Sequence, residues 1–475
     1  PALGLFDMAR SGEGLVAIGF DPGENQRQDG VVFWSDDGLT WTRLGENDPA
    51  LTTGAVLAYG ITEGGPGLVA VGMGCEDESD FCTPYATAWT SVDGATWTRT
   101  ALDPEVFGDP ATESSAMLGV INAGGRLIAI GSIDRWTLDD AGEAESVVVH
   151  PATWVSVDGT TWERTWVGAG VGLDADVFAE VITPPMYAVA EGSDERLVAV
   201  GATLDGQGAY SGAVWTSIDG RSWDQIAPNA EVFSSGTVLT DVIAGTDGYV
   251  AVGTDGGLLP AVWTSSDGLV WSRVEDTNLP ADTFGALSSV AAIDGGFVAG
   301  GPHPFLDNVG GGVTLWTSPD GLAWDRVQTI GQGYVEEIVV LEAGIAVAGG
   351  FWGADTGHAA VWAGPRFDPS APPLPPDPLP SGDGDDDEEQ ESVDVTSVSG
   401  TEVGAGNEPG LNDTAQPPGD DYIVVDQADR LPLGAVDTWP ATPRLDFLAT
   451  ACLESFCFRD AHIVDNDDDS LGVAG

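Results

Sequence analysis

Lysine is absent from this chain of 475 residues. All 15 basic residues are arginine, set against 76 acids, for a formal net charge of -61. A surface of that sign repels nucleic acid and anionic lipid, so neither is expected as a partner. It attracts cations and keeps the chain soluble at high salt, which suits a salty medium or the acidic exterior of a secreted protein. Histidine occurs at four positions, His150, His303, His358 and His462. None pairs with a serine or cysteine in a nucleophile motif. Cysteine is limited to two close pairs, Cys75/Cys82 and Cys452/Cys457. Such pairs read as local disulfides made outside the reducing cytosol. The alternative is a Cys-only zinc site, which would need all four to converge. No apolar run reaches the ~18 residues of a membrane-spanning helix. No Met and no basic, apolar leader open the chain at Pro1, so it reads as a processed product or a fragment.

What the chain does have is glycine, 66 residues of it, and 17 tryptophans. That mixture suits short strands joined by tight turns. The phrase W-[T/S]-S-x-D-G-x-x-W-x-R recurs along the chain. It runs from Trp34 to Trp41, Trp89 to Trp97, Trp154 to Trp162, Trp215 to Trp223, Trp263 to Trp271 and Trp316 to Trp324. A degraded copy begins at Trp362 and breaks at Gly364-Pro365. Ahead of each phrase lies an apolar run closed by glycine, such as Leu15 to Gly19, Leu127 to Gly131 and Ile345 to Gly349. Ahead of that lies a further apolar strand. Four strand candidates per repeat, at a period of roughly 45–65 residues, predict a β-propeller.

The D-G pair has a local task. Asp37, Asp93, Asp158, Asp219, Asp267 and Asp320 are placed to accept backbone N–H bonds within their own hairpin, and the glycine supplies the permissive backbone. These copies resemble the Asp-box, or BNR, repeat, whose pattern is S-x-D-x-G-x-x-W. Here one residue is missing between Asp and Gly, which implies a tighter turn. The resemblance covers most of residues 1–367. It implies a propeller whose box aspartates are structural and lie at the blade periphery. It does not select a function, because sialidases, xyloglucanases, sorting-receptor ectodomains and photosystem assembly factors share the repeat.

A sialidase-like site would imply three arginines converging on a carboxylate, with a Tyr nucleophile and an acid partner. The family's Arg-Ile-Pro motif is missing, and the nearest string, Arg430-Leu431-Pro432, falls in the tail. Arg43, Arg99, Arg164, Arg273 and Arg326 all occupy one repeat position, two after the second Trp. Arg126 and Arg196 share another. A hydrolase of another kind needs only two carboxylates across a cleft. Aligned on the Gly-closed run, one column of the first strands reads Asp7, Gly60, Gly119, Val189, Asp241, Ser289 and Glu337. The next reads Met8, Ile61, Val120, Ala190, Val242, Val290 and Ile338, which is core. Asp7, Asp241 and Glu337 are therefore candidates for a ligand or cation site near the central channel, against a plainer reading as solvated channel acids. Trp136, Trp166 and Trp352 fall outside the repeat columns and are candidates for stacking on a glycan or peptide from a loop.

Beyond Asp368 the composition changes. Residues 369–380 are proline-rich, and acids dominate from Gly382 to Glu391, which predicts a disordered linker over 368–420. Apolar residues return in a small segment, 421–475, at Ile423-Val424-Val425 and from Leu445 to Phe458, which reads as a small closing element or the start of a further domain. Asp465, Asp467 and Asp469 imitate the start of a calcium loop, the one cofactor the sequence suggests. The seventh repeat lacks a complete fourth strand, for which Arg366-Phe367, Tyr422 to Asp426 or sequence before Pro1 are candidates. The expectation is an all-β, seven-bladed propeller of four-stranded antiparallel blades, extracellular or cell-surface, and monomeric. Its expected role is non-catalytic binding of protein or glycan. The alternatives are a glycan-directed hydrolase using paired carboxylates and an assembly or sorting factor.

Overall fold

The structure is a computed structural model. It describes most of residues 4–365, leaving out 22–28, 37, 45–47, 76–81, 139–143, 175–185, 205–209, 280–284, 302–311, 353–356 and a few shorter gaps. Of the remainder it describes four strands, Thr450–Leu453, Phe456–Arg459, His462–Asn466 and Ser470–Ala474. The linker 368–420 lies outside the described residues.

Seven sheets are arranged as a ring. Their first strands, Gly4–Ser11, Val56–Gly64, Glu113–Ala123, Met186–Glu191, Val238–Gly245, Ser289–Ile293 and Tyr334–Val340, stand innermost. Each contacts the next, and Tyr334–Val340 contacts Gly4–Ser11, which closes the circle. Six of the sheets are complete four-stranded antiparallel blades built from consecutive chain, not seven as expected. The remaining sheet has three antiparallel strands, Tyr334–Val340, Gly344–Trp352 and Gly357–Pro365. Its fourth neighbour is Phe456–Arg459, which pairs with Gly357–Pro365 in parallel. Among the described residues the fourth strand thus comes from the last residues; Arg366-Phe367 and Tyr422 to Asp426 lie outside the described residues. A second tail hairpin, His462–Asn466 with Ser470–Ala474, reaches the outer strand of blade one through Gly472 and Thr42.

The first strands carry one shared irregularity. Register shifts skip Phe6, Tyr59, Leu118, Tyr187, Thr240 and Glu336; five of these stand one position before the aligned column, and in blade four the register puts Ala188 in the column and not Val189, which is core. These are β-bulges, and they bend each strand at the ring's inner wall. They also explain the glycine that closes each apolar run. A Cβ at Gly19, Gly72, Gly131 or Gly349 would collide with the carbonyl oxygen of Gly4, Leu57, Ala116 or Tyr334 on the bulged strand.

The S-x-D-G turns behave alike in blades two to five. In blade three, the Asp158 and Gly159 N–H groups donate to Ser156 Oγ (3.2 and 2.9 Å). The Thr160 and Thr161 N–H groups donate to Asp158 Oδ1 (2.8 and 2.7 Å). Gly159 takes φ 72°, and Trp162 Nε1 donates to its carbonyl (2.9 Å). The glycine also faces the preceding blade, because a Cβ there would meet Val69 Cγ2 at 2.7 Å. Each turn is therefore both a hairpin cap and a wedge between blades.

The cores lie between blades. The first tryptophans of the phrase, Trp89, Trp154, Trp215, Trp263 and Trp316, are at most 2 % exposed. Burying such a ring is worth on the order of 5 kcal/mol of transfer free energy, before ordering costs. Two single-turn helices, Pro49–Thr52 and Pro104–Phe107, interrupt the all-β pattern. Asp48 and Asp103 cap them, and their carbonyls receive Trp89 Nε1 (at Ala50, 2.8 Å) and Trp154 Nε1 (at Val106, 2.7 Å).

Candidate functional site

The aligned column does meet near the axis of the ring. Asp7 comes from blade one, Asp241 from blade five and Glu337 from the incomplete sheet. All three are half-buried. Their carboxyls are nevertheless stripped of water, which pushes Asp7 and Asp241 up to about 7. Glu337 rises well above the usual glutamate range, through burial first and then through the charges of Asp7 and Asp241. Burial is the larger cause in all three, and the mutual charges of Asp7, Asp241 and Glu337 add to it.

Their oxygens are already engaged. Asp7 Oδ1 accepts from Met8 N–H (2.6 Å), and Oδ2 accepts from Ile61 N–H of blade two (2.7 Å). Asp241 Oδ1 accepts from Val242 N–H and Oδ2 from Val290 N–H of blade six (both 2.7 Å). Ser289 Oγ accepts from Ile338 N–H of the incomplete sheet (3.1 Å). The bulge leaves the N–H after each column residue without its usual ladder partner, and the side chain supplies one. Among the described residues, no group of three or more His, Cys, Asp or Glu is arranged to hold a metal ion.

Sequence reasoning missed the partner position, the bulged residue itself. Thr240 Oγ1 donates to Leu287 O of blade six (2.5 Å), and Ser288 Oγ donates to Val335 O of the incomplete sheet (2.6 Å). In the incomplete sheet this position is Glu336, which burial pushes up to about 8. The signal was available: a polar residue stands just before the column in these three repeats alone.

The second cluster lies in blade three. Its middle strands, Arg126–Leu138 and Ala144–Ser156, run 13 residues each, against eight or fewer in the other complete blades. An added strand, Val171–Asp174, pairs with Ser146 to Val149. Trp136 and Trp166 belong here, within strands and not on loops as expected. Trp136 packs on Val147, Val149, Leu173 and Leu204, so its role is local packing. Trp166 carries guanidinium groups at 5.0 Å (Arg135) and 4.8 Å (Arg164), and His150 meets it edge-on at 4.7 Å. Buried Glu113 holds both arginines: its Oε1 accepts from Arg135 Nε (2.8 Å) and its Oε2 from Arg164 Nη1 (3.3 Å). Burial, and then the charge of Arg135, push the His150 imidazole below its ordinary range, against the charge of Glu113. Asp134, next to Arg135 in sequence, is raised to about 6 by burial, offset by the Ser114 hydroxyl. Trp352 ends the strand Gly344–Trp352, and its side chain lies outside the described residues.

The other nominated residues stay apart from both clusters. Asp93, Asp158, Asp219 and Asp267 sit in their turns, where backbone N–H bonds hold their carboxyls below the usual range; Asp158 reaches about 2. Asp320 accepts from Leu322 N–H in the same manner (2.9 Å), and Asp37 lies outside the described residues. Cys75 is bonded to Cys82 across a Cα separation of 6.0 Å, closing the loop between two strands of blade two. Cys452 and Cys457 face each other in register across a hairpin. Asp465 is part of a strand and pairs with Leu471, whereas Asp467 and Asp469 lie outside the described residues.

No convergent arginine triad exists among the described residues. Arg135 and Arg164 share Glu113, and Arg43, Arg196, Arg221 and Arg273 each pair with an acid elsewhere on the ring. Nor is any described helix long and apolar enough to cross a membrane.

The fold is that of an all-β propeller. No family model matches the chain, and no curated protein matches it by sequence. Solved structures with a similar fold include the Trypanosoma rangeli sialidase in complex with the inhibitor DANA, at 15 % identity and a TM-score of 0.38, covering 75 % of this chain and 54 % of that one. A Mycobacterium tuberculosis puromycin-hydrolyzing peptidase matches at 13 % identity and a TM-score of 0.48, covering 78 % and 52 %. The Hadza microbial sialidase Hz136 matches at 12 % identity and a TM-score of 0.38, covering 73 % and 63 %. The chain therefore spans between half and two thirds of the length of each.

Proposed function

We propose that this chain is an extracytoplasmic, non-catalytic binding propeller for a glycan or protein. One observation carries the reading: both oxygens of Asp7 and of Asp241 are engaged by backbone N–H groups of their own and the following blade. Carboxylates fixed in that way hold blades together and are not free to attack a substrate or activate water. The turn aspartates are engaged likewise, and the described arginines are dispersed in pairs. The disulfide between Cys75 and Cys82 supports an oxidising compartment. Recognition falls to the extended hairpin of blade three, where Arg135 is half-exposed above Trp166. An assembly or sorting role would be one form of this binding, with a protein as ligand.

The second reading is a glycan-directed hydrolase. It is favoured by the values near 7 for Asp7 and Asp241, which suit a general acid at neutral pH. The test is calorimetry and product analysis on one panel of neutral and acidic oligosaccharides. Saturable binding without turnover, weakened in Trp166→Ala, is the expected result. Turnover of any member that is abolished in Asp241→Asn would replace the binding reading by the hydrolase.

A further inference from the structure

The incomplete sheet differs from the six complete blades at one place on its outer edge. In every complete blade the fourth strand pairs with the residue at the first tryptophan position (Phe33 in blade one) and with the residue after it. The first of these faces arginine in five blades, as Trp89 faces Arg99 and Trp263 faces Arg273, and it faces Gln225 in blade four. In three blades the fourth strand also bonds the carbonyl just ahead. Thr100 N–H donates to Ala88 O (2.8 Å), Ile226 N–H to Val214 O (2.8 Å) and Val274 N–H to Val262 O (2.9 Å). Bonded pairs alternate along an antiparallel ladder, so Thr90 and Thr98 form the next bonded pair in blade two. The register Val347 to Trp362 makes Trp362 and Ala363 the equivalents of Trp89 and Thr90. The tail strand does not reach them. It pairs in parallel with Ala359, Ala360 and Val361, so Ala363 has no strand partner on this edge among the described residues.

The neighbouring core differs in step. The second tryptophan of a box shares a cluster with the preceding sheet: Trp97 with Val16 and Val32, Trp271 with Val198 and Val214, and Trp324 with Val250 and Val262. Between blade six and the incomplete sheet the cluster is built on Val298, Leu315, Ile345 and Val347, and holds no tryptophan among the described residues. Val298 and Leu315 occupy the register positions that Val250 and Val262 occupy beside Trp324. We propose that the edge from Trp362 to Gly364 is a docking site for an extended peptide of a partner protein, which adds an antiparallel strand and sets a tryptophan against Val298 and Leu315. The six fourth strands of this molecule show what such an edge accepts: tryptophan, a polar residue, then arginine in five of the six. The N–H and C=O of Ala363 supply main-chain bonds, and the tryptophan supplies selectivity. A chain of net charge -61 also attracts a strand that carries arginine. The edge belongs to a different sheet from Trp166, so this site stands apart from the binding proposed at blade three.

The probe is a fluorescein-labelled peptide with the sequence of residues 95–101, the fourth strand of blade two, titrated against the whole chain by anisotropy. Saturable one-to-one binding is expected, with amide hydrogen exchange slowed at residues 359–364 and unchanged at 89–91. Methylating the peptide nitrogen at the position of Thr98 removes the N–H that meets Ala363, and should weaken binding by at least about tenfold. Alanine in place of the peptide's tryptophan should weaken it by at least about tenfold as well. Trp166→Ala in the protein should bind the peptide as the wild type does, which keeps this result separate from the oligosaccharide panel. No saturable binding, indifference to N-methylation, or protection elsewhere than 359–364 would each overturn the docking site. Loss of peptide binding in Trp166→Ala would move the contact to blade three and overturn it too.

Discussion

The ring is made of two unlike arcs. From blade five to six, from six to the incomplete sheet and from blade one to two, side-chain hydroxyls and carboxyls bond the backbone of the next sheet. From blade two through three to four, the same column is Gly60, Gly119 and Ala188. There the strands come together by bare backbone and apolar contact. A Cβ at Gly60 would lie 2.9 Å from Gly119 Cα and 3.1 Å from Val120 N. One arc is held by polar groups that titrate, the other by close packing that does not. The two arcs therefore differ in their expected responses to pH and to side-chain volume.

Four measurements would break or sharpen that contrast. The largest effect is expected at Gly60. Gly60→Val places branched carbons where the neighbouring backbone stands and should cost about 3 kcal/mol or more in denaturant unfolding. Gly119→Ala, whose nearest neighbour would be Tyr187 O at 3.4 Å, should be tolerated. Equal losses at both would show that the close arc is not set by this contact.

The next concerns pH. Asp7, Asp241, Glu336 and Glu337 have folded values above their unfolded ones, so the fold binds more protons than the unfolded chain across the window between them. Their contribution is fully present below about pH 4 and is lost as pH rises through about 7–8. Glu336→Gln should leave stability unchanged at pH 4 and raise it by on the order of 2 kcal/mol at pH 9. A wild-type stability that rises from pH 5 to 8 would contradict the account.

A smaller effect, about 1 kcal/mol, is expected for Ser156→Ala, which leaves the Asp158 and Gly159 N–H groups without their acceptor. This loss should be independent of pH from 5 to 9, because a hydroxyl is the partner. The smallest belongs to Arg135→Gln. Its guanidinium is half-exposed, and Arg164 still serves Glu113, so thermal unfolding should shift by less than about 1 kcal/mol while ligand binding at Trp166 weakens.

Much of the ring could be read from the sequence because its elements repeat. Trp154, Asp158 and Trp162 announce a hairpin wherever their spacing recurs, and the glycine after Val16-Ala17-Ile18 marks a close approach. The aligned column around Asp7 and Glu337 was visible for the same reason. What repetition could not convey was pairing. The bulge at Phe6 or Glu336 exists only relative to the opposite strand, so the hydroxyl and carboxyl pairs at 240/241 and 336/337 looked like ordinary polar residues. Nor did spacing show that Trp136 and Trp166 lie within lengthened strands, since their surroundings look loop-like. The stretch from Leu445 to Phe458 stood out as a closing element by its apolar residues, but its parallel pairing through Phe456–Arg459, some 90 residues from Gly357–Pro365, could not be read because no repeat links the two.

The lengthened hairpin of blade three also gives the molecule a compass point. A ring of near-identical sectors offers an incoming partner several equivalent angular settings, and one raised sector abolishes that degeneracy. Whatever lands on this rim can do so in a single azimuth, and a graft of the same hairpin onto blade five should turn the bound partner about the axis by two sectors.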